Sequence, residues 1–179
     1  MDSKLKGLIM SGMAVSALLF ALIAVLGPSW ATADVDTGNA NYGLSEYEIV
    51  VFGLTITGDF SEQCEDGGDD EVCSLATAGT VGAIGLWIGI LLVAAFAAML
   101  ILRIAGIDVM DERIPDMAKM AIQWGAGAMI LLGAIGWLIL KPELEDDFGI
   151  GISFWMAILA GILALGASAM DTFVVTDDK

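Results

Sequence analysis

The sequence predicts a membrane protein of the all-α class, a four-helix transmembrane bundle that carries a small extracellular antiparallel β-sheet. Four long apolar runs each supply the roughly 20 apolar residues that a helix needs to cross about 30 Å of hydrocarbon. They span residues 5–26, 75–102, 117–140 and 150–175. A soluble domain of 179 residues with 58% hydrophobic composition could not bury them all. We therefore expect one membrane domain over residues 1–179, with residues 27–74 forming the extracellular loop.

The charge balance limits the partners. The net charge is −16, and hardly any of it lies within the apolar runs. Such an acidic surface repels nucleic acid and anionic lipid headgroups, and it attracts cations or basic partners. The predicted partners are the lipid bilayer and other membrane proteins, including further copies of this chain, and not nucleic acid.

The orientation in the membrane follows from the basic residues in short loops, which favour the cytoplasmic side. Five of them lie before the first run or around the loop between the second and third runs: Lys4, Lys6, Arg103, Arg113 and Lys119. The opposite side has only Lys141. We expect a multi-pass protein of the plasma membrane with both termini cytoplasmic and residues 27–74 outside.

An alternative interpretation of the first run is a secretory signal, because the small residues Ala31-Thr32-Ala33 follow it and could form a cleavage site. The run of about 20 apolar residues is longer than the usual signal core of about 7–15. Cleavage would leave three spans and a mature amino terminus outside the membrane.

The first span is predicted to end at Gly27-Pro28, which stop a helix. Trp30 follows at the level where an aromatic ring favours the headgroup region. Residues 31–45 are small and polar and are interpreted as a loop. Residues 46–60 are rich in β-branched and aromatic side chains, which predicts two strands broken near Gly53. Candidate partner strands are residues 31–35 and the region of Val72.

Residues 61–73 form a turn-rich acidic segment that contains both cysteines. In an oxidising compartment Cys64 and Cys73 are expected to form a disulfide. Closing so short a loop contributes about 2–3 kcal/mol by loop-entropy reasoning. The small sheet has almost no core of its own, so this crosslink matters for its stability.

The same segment is a candidate cation site. Its carboxylates surround the Gly67-Gly68 turn and could bind Ca²⁺, although the spacing does not match an EF-hand. The candidate ligands are Glu65, Asp66, Asp69, Asp70 and Glu71. The alternative is a solvated, repulsive acidic surface.

Small residues recur at four-residue spacing in the last three spans. Gly85 and Gly89 form a GxxxG pair, and Gly125 and Gly161 belong to similar small-xxx-small pairs. This spacing lets helix backbones approach closely in lipid. It predicts packing within the bundle, with binding of a partner subunit as the alternative.

No catalytic residue, cofactor or metal centre is predicted, apart from the candidate Ca²⁺ site. The chain contains no His, and two cysteines cannot complete a zinc site. No phosphate loop or nucleophile elbow is visible. No charged residue lies deep in a span, and Gln123, near the cytoplasmic end of the third span, is the only strongly polar interior group. A redox role for the cysteine pair is the remaining enzymatic alternative. It is disfavoured because Cys-x-x-Cys spacing is missing and the neighbouring acids raise thiol pKa values.

The chain resembles the claudin and peripheral-myelin-protein superfamily. The resemblance depends on Pro28 and Trp30 at the end of the first span, on Gly43-Leu44, and on the Cys64 and Cys73 pair. Ser45 stands where the family motif has a second Trp. The resemblance implies a left-handed four-helix bundle under a small sheet held by a Cys64–Cys73 disulfide, with Trp30 at the junction of sheet and membrane.

The predicted function is that of a non-enzymatic membrane protein for cell–cell or lateral membrane contacts. The strand-rich outer loop would contact other copies or a neighbouring complex. One alternative is a small accessory subunit of a larger membrane enzyme or transporter. The other is a membrane thiol oxidoreductase.

Overall fold

The structure is a computed structural model that describes residues 3–35, 38–107, 114–142 and 148–174. Arg113 and residue 175, on which parts of the predictions fall, lie outside these ranges. The helices are α1 (Ser3–Leu26), α2 (Phe60–Glu65), α3 (Asp70–Ile104), α4 (Asp116–Leu140) and α5 (Ile152–Phe173). The strands are β1 (Ala31–Val35), β2 (Gly38–Tyr42), β3 (Glu46–Val51), β4 (Leu54–Asp59) and β5 (Phe148–Ile150).

Helices α1, α3, α4 and α5 are long and apolar enough to cross a membrane, which indicates a multi-pass membrane protein. Each packs against two neighbours in the cyclic order α1, α3, α4, α5 and back to α1. The predicted four-helix bundle with a small antiparallel sheet is confirmed at this level.

The bundle has small side chains inside and large ones outside. On α1 the fully buried residues recur at helical spacing and are all alanine: Ala14, Ala17, Ala21 and Ala24. Large apolar residues of the same helix, such as Leu8, Leu19 and Ile23, are exposed on the outer surface. This distribution suits a helix surrounded by lipid, where close backbone packing rather than apolar burial brings helices together.

The four predicted packing glycines all lie at contacts between helices of this chain. A Cβ built on Gly85 would lie 2.5 Å from the Cα atom of Gly133, so α3 and α4 are nearly in backbone contact there. Gly89 faces Ala126 and Ile130 of α4. Gly125 faces Leu92 across the α3–α4 contact, and Gly161 faces Gly127 and Leu131 across the α4–α5 contact.

The five strands form one antiparallel sheet in the order β4-β3-β2-β1-β5. The β3–β4 hairpin confirms the two strands predicted around Gly53, and β1 confirms the strand at residues 31–35. The interpretation of residues 31–45 as a loop was wrong for residues 31–35 and 38–42, which form β1 and β2. Ala31, Ala33 and Ala40 alternate towards the buried side, so packing decides the structure where intrinsic strand preference is weak.

Two further predictions need correction. The region of Val72 is helical and does not pair with the sheet, since α3 begins at Asp70. Residues 27–74 do not build the sheet alone, because β5 comes from the segment before α5 and pairs with β1. Strand β1, which follows α1, is therefore paired with β5, which leads directly into α5.

Helix α3 is longer than a membrane crossing requires. Its 35 residues extend about 52 Å at 1.5 Å per residue, against a hydrocarbon thickness of about 30 Å. The surplus turns at its amino end carry Cys73 towards α2, so this helix links the bundle to the outer segment.

Candidate functional site

Trp30 lies where the sheet meets the bundle, and it is completely buried. Its indole Nε1–H donates a hydrogen bond to the Ala24 carbonyl, with N and O 2.7 Å apart. The last carbonyls of a helix have no partner within the helix, so the indole satisfies one of them at the end of α1. The ring meets Trp137 edge-on at a centroid distance of 5.2 Å and Phe154 at 6.0 Å. The expected position at the junction holds, but protein rather than lipid surrounds the ring.

The Trp30 backbone joins three segments. Its N–H donates to the Tyr42 carbonyl of β2 at 2.7 Å, and its carbonyl accepts from the N–H of Gly151 at 2.9 Å. The N–H of Ser153 donates to the Ser29 carbonyl at 2.9 Å. The exit of α1 is therefore bonded to the sheet and to the start of α5.

Gly43 and Leu44, on which the sequence resemblance also depends, lie at the same junction. Leu44 is buried against α3, and its carbonyl occupies the space where a side chain on Gly79 would have to lie. The Gly43 N–H donates to the Glu46 carbonyl at 2.8 Å, which closes the turn between β2 and β3. A Cβ on Gly43 would lie 3.5 Å from the Cα of Pro28, so the two motif segments pack side by side.

An aromatic layer covers the end of the sheet that adjoins the bundle. Phe60 stacks on Tyr42 at a centroid distance of 6.3 Å and tilts against Tyr47 at 5.5 Å. The Tyr47 hydroxyl accepts a hydrogen bond from the side-chain amide of Gln63 in α2 at 2.8 Å. Burial, and then repulsion by Tyr47, raise the pKa of the Tyr42 phenol above its ordinary value.

Helix α2 replaces part of the predicted turn-rich segment, and Asp59 caps it. The Asp59 carboxylate accepts hydrogen bonds from the Ser61 hydroxyl and backbone N–H and from the Glu62 N–H. These bonds, chiefly that from the Ser61 hydroxyl, lower the pKa of Asp59 below its ordinary value of 3.8. The cap fixes the corner where β4 turns into α2.

The structure contains the predicted disulfide. Cys64 on α2 is bonded to Cys73 at the end of the first turn of α3, with their Cα atoms 5.0 Å apart. The bond fastens the corner after β4 to the longest helix of the bundle. Neither described cysteine is free.

The predicted cation site stays a prediction, and the described residues do not assemble a set of ligands there. Glu65, Asp66, Asp69, Asp70 and Glu71 are all exposed. Within residues 3–35, 38–107, 114–142 and 148–174, no three His, Cys, Asp or Glu side chains come together as a metal site would require. The acidic turn is a solvated surface in this structure.

The outer edge of the described sheet exposes both apolar side chains and unpaired backbone groups. Strand β4 has a neighbour on one side only within the described sheet, and its apolar side chains face solvent. Phe52 is 81% exposed, Leu54 71% and Ile56 56%. Thr55 and Thr57 alternate with them on the other face of the strand. The three apolar residues are called the β4 stripe below.

The tip of this hairpin has an unusual backbone. Phe52 has φ = 51° and Gly53 has φ = 78°. Two successive positive φ values define the tight turn that suits a two-residue hairpin, where Asn-Gly is the usual sequence. A bulky residue with a positive φ is strained. Because the Phe52 side chain is exposed, its burial does not offset the cost of this backbone conformation. An exposed aromatic residue held at a strained tip is a feature of binding sites more than of packing.

Sequence reasoning missed Asp171, which lies near the end of the predicted last span and was given no role. Asp171 belongs to the last turn of α5, and its carboxylate accepts from the Gln123 amide at 2.7 Å. It also pairs with Arg103 at 3.4 Å. Gln123, noted as the polar group inside a span, was the available signal, because an amide within an apolar span requires a hydrogen-bond partner.

The exposed β4 stripe was also missed as a site, because its residues were interpreted only as a strand signal. The sole clue in the sequence was Phe-Gly at a position where hairpins favour Asn-Gly. No family model matches this chain, and no curated protein matches it either.

Proposed function

We propose that this chain is a claudin-like, non-enzymatic protein of the plasma membrane whose outer sheet binds other copies of the same chain. The observation that carries the proposal is the β4 stripe of Phe52, Leu54 and Ile56 at an open sheet edge. Natural proteins usually protect such an edge with charges or a covering segment, because its unpaired backbone groups accept another strand. Residues 54–58 (LTITG) carry no charge at all.

The family assignment is supported by the meeting of its motif residues. Trp30 is separated in sequence from Gly43 and Leu44, yet all three residues pack at one junction. The Cys64–Cys73 disulfide fastens the segment that follows. We propose both termini as cytoplasmic, since Lys4 and Lys6 lie at the end of the bundle opposite the sheet.

The direction of the strands restricts how two copies can meet. The row Ala31–Tyr42–Tyr47–Gly58 adjoins the bundle, whereas the Val51–Leu54 pair lies at the far end of the sheet. Two copies in one membrane are related by a two-fold axis along the membrane normal. This rotation leaves β4 pointing the same way along the normal in both copies, so their β4 edges meet in parallel. Antiparallel pairing of two β4 edges requires an axis in the membrane plane and hence copies in facing membranes. Antiparallel contact therefore corresponds to adhesion and parallel contact to lateral assembly.

The proposal is tested with proteoliposomes that expose the sheet. We expect wild-type vesicles to cluster, as measured by light scattering, or to contain dimers that a crosslinker captures within one vesicle. Ile56→Lys should abolish both signals, because a charge would be buried in the contact. The matched control is Thr57→Lys, which places the same charge one residue further along, on the opposite face of β4.

Monomeric wild-type protein without vesicle clustering would contradict the proposal. Equal behaviour of Ile56→Lys and Thr57→Lys would also contradict it, since the stripe would then not be the contact. Copurification of wild-type protein with a larger membrane protein at fixed stoichiometry, lost in Ile56→Lys, would instead favour an accessory subunit.

A further inference from the structure

The basic residues of this acidic chain are concentrated at one cleft. The chain has only seven Lys and Arg residues against 23 Asp and Glu. Three of the seven, Lys4, Lys6 and Arg103, line a single cleft of about 690 Å³. One carboxylate, that of Asp171, lines it with them. The described lining therefore carries a local positive charge within a protein whose net charge is strongly negative.

The cleft lies between helix ends. It is formed where α1 begins and where α3 and α5 end, at the end of the bundle away from the sheet. Gly7 lets α1 approach α3 there, since a Cβ on it would lie 3.1 Å from Ile104. The cleft is thus bounded by three membrane-crossing helices at one membrane surface.

The single carboxylate is already engaged by the protein. Asp171 pairs with Arg103 at 3.4 Å and accepts from Gln123 at 2.7 Å. Lys6 donates from Nζ to the backbone carbonyls of Asp171 at 3.1 Å and Val174 at 2.8 Å, which closes the end of α5. These contacts hold the side chains of Lys6 and Arg103 in place beside the cleft.

The remaining walls are apolar and continue onto the outer surface of the bundle. They consist of Leu8, Met10, Leu100 and Ile104. Leu8 is 66% exposed and Ile104 51% exposed, whereas Met10 and Leu100 are buried. The cleft therefore opens sideways, between α1 and α3, towards the region that lipid chains occupy.

We propose that this cleft binds one anionic phospholipid, with its phosphate beside Lys4, Lys6 and Arg103 and an acyl chain against Leu8 and Ile104. Basic pockets between helices at the cytoplasmic surface are suited to acidic headgroups. A soluble phosphate would use the cations but leave the apolar walls uncovered, so the combination points to a lipid. The inference depends on the four helices crossing a membrane and is independent of the β4 stripe.

The test is native mass spectrometry of the full chain in a neutral detergent, with phosphatidylglycerol or phosphatidylcholine added at equal concentration. We expect one phosphatidylglycerol to be retained at least about tenfold better than phosphatidylcholine, because each charge contact near the surface contributes about 1 kcal/mol. Lys4→Gln should lower that preference about fivefold. Asp171→Asn should raise it, because it removes the only negative charge of the described lining.

Lys119→Gln is the matched control, because Lys119 lies at the same end of the bundle but does not line the cleft. An equal loss in Lys119→Gln and Lys4→Gln would overturn the proposal in favour of diffuse surface charge. Equal retention of the two lipids by wild-type protein would overturn it too. Full displacement of the lipid by millimolar inorganic phosphate would show a free-anion site instead. If Lys4→Gln does not fold, wild-type retention that is independent of salt would contradict the proposal.

Discussion

Among single residues, Trp30 connects the most parts of the molecule. Its indole bonds to the end of α1, its backbone bonds to β2 and to the residue before α5, and its ring packs on Trp137 of α4. Through its side chain and backbone together, this one residue connects α1, α4 and the start of α5 to the sheet. The sequence predicted its position at the junction, but the partners Trp137 and Phe154 come from distant segments that no local pattern indicates.

Replacing Trp30 by Phe tests the indole hydrogen bond. We expect Trp30→Phe to lower the stability of the protein by about 1–3 kcal/mol, because the Ala24 carbonyl loses a buried partner. Thermal unfolding in detergent measures the change. Trp155→Phe is the control, since Trp155 is about half exposed and its loss should change stability little. An equal effect of the two substitutions would contradict the role assigned to Trp30.

A substitution at Phe52 is expected to change stability and self-association in opposite directions. Asn adopts a positive φ readily, so Phe52→Asn should stabilise the hairpin by about 1 kcal/mol while removing the most exposed part of the β4 stripe. We expect a higher unfolding temperature together with weaker self-association. A lower unfolding temperature would show that Phe52 is held by packing and not strained. Unchanged association would exclude it from the contact.

Asp59 makes the stability of the outer segment depend on pH in the acidic range. Its pKa is lowered in the folded protein, so its stabilising contribution is complete above the unfolded value of about 4 and is lost as the pH falls through the lower folded value. We expect unfolding of the wild-type sheet to become easier below about pH 4. Asp59→Asn keeps a capping side chain, so it should show a smaller dependence in this range. Parallel pH profiles of the two proteins would contradict this assignment.

At the scale of elements, the disulfide joins α2 to α3 and so fixes the end of β4. Cys64→Ser is expected to lower stability by about 2–3 kcal/mol, the loop-entropy value for a crosslink with a sequence separation of nine. Equilibrium unfolding of wild type and variant measures it. The Cys64→Ser, Cys73→Ser double variant controls for the free thiol. Loss of a quinone-reducing activity without loss of stability would favour the oxidoreductase alternative.

The sequence predicted the long elements well and the short ones poorly. Four spans follow from apolar length alone, and the β3–β4 hairpin follows from β-branched residues around Gly53. Strand β2 contains Gly38, Asn39 and Asn41, which disfavour strands, and forms because its neighbours supply the pairing. Strand β5 has three residues, too few for a periodic signal, and exists because β1 offers it an edge.

At the scale of the whole molecule, the two ends of the helix bundle present different surfaces. The sheet end presents the apolar β4 stripe beside an acidic turn, and the other end presents the basic cleft. The residues of the β4 stripe were interpreted only as a strand signal, whereas the cleft collects residues from segments far apart in sequence. Lys4 and Arg103 were noted only for orientation, and the cleft that joins them appears once α1 and α3 are packed.

Both proposals require the two ends to lie on opposite sides of one membrane, and impermeant thiol labelling of intact cells tests this most directly. Thr57→Cys places a thiol at an exposed position of β4, and Thr172→Cys places one on the last turn of α5. The account predicts that the thiol at position 57 reacts from outside, whereas the thiol at position 172 reacts only after the membrane is permeabilised. Labelling of both thiols in intact cells, or of neither, would place them on one side and contradict the account.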